Sequence, residues 1–234
     1  MTSTRKALWQ GFIAVSPFLL VVAPFAILFG VVATEAGLDL VQIMGFSLFV
    51  VAGAAQFVAL QLAGENAPLA IILLTSLAVN LRLVMYSAAI APYLQGTTLW
   101  QRLLIAYSLT DQSFAVTVAD AERHPRTLSN RLAFYTGSAV PLLMIWYGFT
   151  LVGAVAGSAI PPSFALDFAL PISFIALLAP SLRSLPHVAA CSASVAVSLM
   201  LTFMPYGTGV LVAAVIAMIV GSQTEVWLKR RARA

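Results

Sequence analysis

The stretch LAIILLTSLAVNLRLVMYSAAIAPYL, residues 69–94, is long enough to cross a bilayer and carries Asn80, Leu81 and Arg82 near its middle. A guanidinium at membrane mid-depth costs at least about 2.5–3.5 kcal/mol on insertion scales, so it is kept where it meets protein, water or a counter-charge. At about 100° per residue, Ser76, Asn80 and Ser87 share one helical face, while Thr75, Arg82 and Tyr86 share another. Two polar stripes predict a helix enclosed by neighbours, or one interrupted near Asn80 with its backbone lining a cavity. The competing reading is a buried arginine that only ties helices together.

Working outward, the rest of the chain has the same solvent. Of 234 residues, 61% are hydrophobic and 9% charged, against about 25% charged in soluble proteins. Mean hydropathy is +0.99. Apolar runs near 20 residues recur throughout, which predicts an all-α integral membrane protein with one transmembrane domain over 1–234 and the lipid bilayer as its surroundings. The net charge of +4 is no nucleic-acid signal, because the basic residues cluster in loops and at the two ends. Cys191 has no partner within the chain and reads as a packing residue. Residues 11–34 follow Arg5 and Lys6, but are too apolar for too long to be a cleaved leader, and predict a retained first span.

Eight spans are expected, near 11–34, 40–63, 69–94, 99–119, 132–157, 164–180, 187–204 and 208–227, some of them broken or kinked. Seven remain possible if a polar segment is re-entrant. Pro24 and Gly30 in span one are candidate hinge or packing positions, as is Gly53. In an eight-span count every basic loop falls on one side, so both termini are expected in the cytoplasm, with the Glu35–Asp39 and Pro161–Pro162 turns outside. Leu38-Asp39 and Leu166-Asp167 open spans two and six, which suggests a weak parallel repeat of spans 1–4 and 5–8.

Asp111 lies about as deep in span four as Arg82 does in span three, so antiparallel neighbours bring opposite charges together. The pair reads either as a structural tie or as a centre for a zwitterion, with Arg82 meeting a carboxylate and Asp111 an ammonium group or a coupling proton. Gln56 reads equally as an interhelical hydrogen bond or a pocket lining. Asp167 fits the first turn of its helix, where the dipole favours a carboxylate, and His124 reads as an exposed loop residue. No metal cluster, phosphate-cradling loop or nucleophile with a base is present in the sequence, so neither a cofactor nor an enzyme is expected.

The chain resembles the AzlC-type large subunits of branched-chain amino acid exporters. The likeness is carried by Pro24-Phe25 with Phe29-Gly30, Gly53-Ala54-Ala55-Gln56-Phe57, Asn80-Leu81-Arg82 with Tyr86, Thr110-Asp111-Gln112-Ser113-Phe114 and Leu166-Asp167-Phe168. Two departures are Ala26, often Gly in the family, and Gln112, often Glu, which removes an ionisable group beside Asp111. The resemblance implies export of leucine, isoleucine, valine and similar amino acids, together with a much smaller AzlD-type membrane subunit. The resulting expectation is a secondary transporter of the inner (plasma) membrane working by alternating access. Its substrate-site candidates are Arg82, Asp111, Asn80, Gln56 and Gln112, and its proton-coupling candidates are Asp111 and Asp167. An exporter of another small amphipathic solute, or a channel or scaffold with a structural Arg–Asp pair, is the alternative.

Overall fold

The computed structural model describes residues 4–157, 182, 184–204 and 208–231. Every regular element among them is helical: α1 (Thr4–Glu35), α2 (Leu40–Phe49), α3 (Gly53–Gly64), α4 (Leu69–Ile90) with a 3₁₀ turn at Ala91–Leu94, α5 (Leu99–Tyr107), α6 (Asp111–Arg123), α7 (Leu128–Gly157), α8 (Leu185–Met200) and α9 (Gly209–Arg231). Four described helices are long and apolar enough to cross a membrane: α1, α4 with its 3₁₀ extension, α7 and α9. The fold is therefore that of an all-α membrane protein. Span six and Asp167 lie outside the described residues. Contacts divide the chain into two units, Met1–Leu60 with Val79–Phe164, and Gln61–Ala78 with Ala165–Ala234.

The first unit is built on α1 and α7, packed parallel. Gly137 of α7 faces Leu8, Gly11 faces Phe134 and Ser138, Gly30 faces Thr150 and Ala154, and Gly153 faces Ile27, so residue numbers rise together along both helices. A methyl added at Gly30 or Gly137 would overlap the backbone carbonyl of Thr150 or Leu8. With no hydrophobic effect to drive helices together in lipid, such close backbone approach is what holds them. Gly30 thus acts as a packing residue. Pro17 and Pro24 both lie inside α1 without ending it.

Residues 40–63 and 99–119 each form two short helices that fold back on themselves. In the first, the Phe29 ring touches both Phe46 of α2 and Phe57 of α3, with centroids 6.0 and 5.5 Å away. Gln56 Nε2 reaches Ser47 Oγ at 3.4 Å across the break, a contact impossible if α3 simply continued α2. In the second, Arg131 in the first turn of α7 donates to the Tyr93 carbonyl at 2.6 Å. Only 124–127 separate α6 from α7, so α5 begins and α6 ends at the same face of the protein. Laid end to end, those two helices would hold these points roughly 35 Å apart.

The unit therefore has an inverted internal repeat, α1 followed by a hairpin entering from one face, then α4 followed by a hairpin entering from the other. The entries match residue for residue. Gly37 and Gly96 both take positive φ, +85° and +86°, conformations that glycine adopts without strain. Asp39 with Gln42, and Thr98 with Gln101, then form capping boxes that open α2 and α5. This repeat differs from the parallel one expected from Leu38-Asp39 and Leu166-Asp167, whose second half lies outside the described residues. It also moves the 91–98 turn to the face shared by Gln10, Arg126 and Arg131. Arg102 joins Arg5, Lys6, Arg123, Arg126 and Arg131 there, while Glu35 and Asp39 lie at the other face.

In the second unit α8 and α9 pack antiparallel, with Gly221 against Ala190 and Pro186. Lys229 pairs with Glu225 at 2.6 Å, and the Arg231 guanidinium lies 4.1 Å from the centroid of Trp227.

Candidate functional site

The α5–α6 hairpin ends at Ser108-Leu109-Thr110, and its polarity makes the break possible at membrane depth. Thr110 Oγ1 accepts from the Ser113 amide, while Ser113 Oγ accepts from the Thr110 amide. At the end of α5, Ser108 Oγ donates to the Leu104 carbonyl at 2.7 Å and Tyr135 Oη to the Ile105 carbonyl at 2.8 Å. Side chains thus take over the hydrogen bonds that a continuous helix would have made.

Asp111 is the first residue of α6, where the helix dipole favours its charge. Its Oδ2 lies 2.9 Å from Arg82 Nη1, so the charges that the sequence places at equal depth do meet. The pair is open on one side, with side-chain exposures of 32% and 38%. Tyr86 borders Asp111 and stacks on Phe114 at 4.3 Å between centroids. Arg82 Nε and Asn80 Oδ1 are buried and have no partner among the described residues. One donor of the ion pair thus stands unused, while the unused Asn80 acceptor belongs to the other polar stripe of α4, about 160° round the helix from Arg82.

α4 is continuous through Asn80, so the interruption expected there occurs instead in the two hairpins. Nor is α4 enclosed: Leu81, Val84 and Met85 are more than 60% exposed. Their arc is the apolar complement of the two polar stripes, which together occupy only about half of the helix circumference. One half faces outward as a lipid-facing helix does, while the other presents Arg82.

The two hairpin tips touch. Tyr107, the last residue of α5, donates to the Leu48 carbonyl near the end of α2 at 2.8 Å. Because its one proton is used there, the 2.8 Å contact between Tyr107 Oη and Tyr147 Oη has Tyr147 as donor. A relay from α7 through α5 to α2 results. Tyr147 was not singled out by sequence reasoning; its polar hydroxyl deep in an otherwise apolar span was the available signal. Gln56 and Ser47 are both 0% exposed, with Gln56 Oε1 unpartnered, which leaves no room for an amino acid at Gln56. Gln112 has no polar partner among the described residues. Gly53 opens α3, tightly packed against Phe25 and Trp146.

A cavity of about 570 Å³ opens between the end of α4 and α5, lined by Ser87, Ala91, Gln95, Thr97, Arg102 and Leu109 among others. It reaches Leu109 at the hairpin tip from the basic face. On that face Arg126 makes a two-toothed contact with Asp120, 2.6 and 2.8 Å, and donates to Gln10 Oε1 at 3.0 Å. These bonds to Asp120 raise the Arg126 pKa above its usual value, so it stays charged. His124 is also part of this cluster, 3.1 Å from Asp120. No group of His, Cys, Asp and Glu suited to a metal occurs among the described residues.

Breaks facing each other from opposite sides, with a charged pair at one tip, place the protein among multi-span helical membrane proteins with inverted repeats. The model of the AzlC protein family matches residues 17–160, and the chain belongs to the AzlC family. A protein of Archaeoglobus fulgidus described as an uncharacterized membrane protein is 34% identical over 199 residues, 83% of each chain. The inner membrane protein YgaZ of Escherichia coli is 30% identical over 173 residues, 71% of this chain and 70% of its own. An uncharacterized membrane protein of Helicobacter pylori is 30% identical over 150 residues, 64% of each. No solved structure matches.

Proposed function

We propose that the protein is a secondary transporter exporting branched-chain or similar small apolar amino acids by alternating access, rather than an enzyme. The observation that carries this reading is the open Arg82–Asp111 pair with Arg82 Nε unused. A substrate carboxylate takes Arg82 Nε, its ammonium takes the free oxygen of Asp111, and Asn80 orients the substrate from the other polar face of α4. Discrimination by an apolar pocket is worth about 1–3 kcal/mol per methylene, so several aliphatic amino acids pass. Other small amphipathic zwitterions share this chemistry.

In this reading the 570 Å³ cavity is the approach from the basic face, which the positive-inside tendency makes cytoplasmic. The tail Lys229-Arg230-Arg231 puts the C-terminus on the same side by the same tendency. The similarity to the inner membrane protein YgaZ favours the inner membrane. A small AzlD-type subunit is the proposed partner, following the family resemblance.

The test is efflux of preloaded radiolabelled leucine from vesicles holding this protein and the small subunit, with Arg82→Ala and Asp111→Asn compared at equal abundance. Wild-type efflux that both variants abolish supports the reading. Full activity in both variants removes the charged pair from the site, and absence of wild-type efflux of any branched-chain amino acid removes the substrate assignment.

A further inference from the structure

The cavity between the end of α4 and α5 has a cation in its wall and no anion to answer it. Arg102 closes the first turn of α5, where the positive pole of the helix dipole adds to its charge and does not offset it. The ion pairs among the described residues use Arg82, His124, Arg126 and Lys229, which leaves Arg102 without a carboxylate there. Its Nε donates to Thr97 Oγ1 at 3.3 Å, and that buried hydroxyl gives its own proton to the Leu94 carbonyl at 2.9 Å. The guanidinium is thus anchored at the cavity wall, while its two Nη groups have no hydrogen-bond partner among the described residues. Ser87, Gln95 and Thr97 are neutral, and none of the described residues lining the cavity is acidic. The rest of the wall is apolar, with Ile90, Leu94 and Leu109 buried in it.

We propose that this cavity binds a small aliphatic monocarboxylate that has no amino group, with its carboxylate on the Nη groups of Arg102 and its hydrocarbon end against Ile90, Leu94 and Leu109. A planar guanidinium held at Nε keeps its remaining N–H groups free for a carboxylate. An ammonium group would meet a cation, the positive end of a helix and no acid, so an amino acid is disfavoured here. The Arg82–Asp111 pair differs in this respect, since both charges are present there. The volume of about 570 Å³ lies within the range of small-molecule pockets, roughly 300–1,000 Å³. The site goes beyond the transport reading and does not depend on what Arg82 binds. Where the cavity serves as the approach to the pair, the bound anion competes with the outgoing amino acid.

The experiment is binding of radiolabelled isocaproate, which is leucine without its amino group, to the purified protein in nanodiscs of neutral lipid. Saturable binding is expected in the wild type and in Arg82→Ala, and binding at least about tenfold weaker in Arg102→Gln, because hydrogen bonds to charged groups are the stronger kind. Unlabelled acetate, which lacks the hydrocarbon end, and leucine, which adds the ammonium, are each expected to displace the label at least about tenfold less well than isocaproate. Ala106→Phe narrows the cavity with Arg102 in place and is expected to weaken binding too, an arm that decides the matter even if Arg102→Gln does not fold. Absence of saturable binding, binding that either cavity variant leaves unchanged, or displacement by leucine as strong as by isocaproate overturns the proposal. Loss of binding in Arg82→Ala would move the carboxylate to the charged pair and overturn it equally. So would binding abolished by phosphatidylglycerol in the nanodiscs, in salt that screens the surface charge, since Arg102 would then belong to a lipid headgroup.

Discussion

At the α5–α6 tip the chain breaks under cover of its own side chains: Thr110 and Ser113 cap α6, Ser108 and Tyr135 finish α5, and Asp111 has Arg82. At the α2–α3 tip the sequence Val50-Val51-Ala52-Gly53-Ala54-Ala55 offers no capping side chain, and backbone carbonyls are left bare. The entries to these hairpins are near copies, glycine at positive φ followed by a capping box, yet their tips have diverged. In lipid every backbone group must be satisfied from within. One tip does so with polar side chains; at the other, carbonyls of residues 47 and 49–51 and N–H groups of residues 51–55 find no partner among the described residues.

The sharpest way to break the comparison is to test whether segment 40–63 turns back. In a Cys191→Ala background, Ala36→Cys and Gln95→Cys sit at exposed turns before α2 and α5. With α2–α3 re-entrant, a membrane-impermeant maleimide added to intact cells labels one of them and leaves the other unlabelled until the membrane is opened. If both are labelled from outside, segment 40–63 crosses the membrane and the inverted repeat fails.

Much of this was legible in the sequence. Arg82 and Asp111 declared themselves because charge at membrane depth demands a partner, and the polar run from Tyr107 to Ser113 announced a segment unfit for lipid. What hydropathy could not separate is a 24-residue crossing from two half-helices of 10 and 12 residues that fold back. The apolar content is the same, and only the direction after the break differs. Direction is fixed by long-range contacts such as Arg131 to Tyr93 and Gln56 to Ser47, which no local pattern encodes. Two local signs did exist: Gly37-x-Asp39-x-x-Gln42 recurs as Gly96-x-Thr98-x-x-Gln101, and Arg102 sits on the wrong side of an eight-span count. Gln56 misled for another reason, since a polar residue in a span signals equally a pocket or a sealed break.

A second prediction separates the two roles open to the charged pair. Arg82→Ala leaves Asp111 without its partner, and for charge pairs of this kind truncation costs about 2–5 kcal/mol where desolvated, less here given the partial exposure. Leucine efflux is expected to fall at least about tenfold, the equivalent of roughly 1.4 kcal/mol. The exchanged pair Arg82→Asp with Asp111→Arg restores the attraction and the unfolding temperature. It does not restore efflux, because the guanidinium then stands on the wrong helix for the carboxylate. Recovery of efflux in the exchanged protein would assign the pair a purely structural role.

The contact between tips comes next. Tyr107→Phe keeps the ring and removes the proton given to the Leu48 carbonyl, which leaves that oxygen and the Tyr147 hydroxyl short of a partner. A loss of about 1–3 kcal/mol is expected. Tyr147→Phe, which removes only the outer link, is expected to cost less. Equal losses would mean that the relay does not bind the hairpins to each other.

The smallest effects test whether the hairpin entries are true equivalents. Asp39 and Thr98 each cap an exposed helix start with the same reciprocal geometry, Asp39 Oδ1 accepting from the Gln42 amide at 2.8 Å and Thr98 Oγ1 from the Gln101 amide at 3.4 Å. Replacing either by alanine is expected to cost about 0.5–2 kcal/mol. Asp39→Ala should cost more by about 0.3–1 kcal/mol, because a charged cap also meets the positive end of the helix dipole. That excess is screened in high salt, whereas the hydrogen-bond part is not. Chemical denaturation of both variants at low and high ionic strength therefore reads the two contributions apart. Costs that converge in salt mark two copies of one device differing only in charge, while a persistent gap shows that the two half-helices are held by unlike contacts beyond their caps.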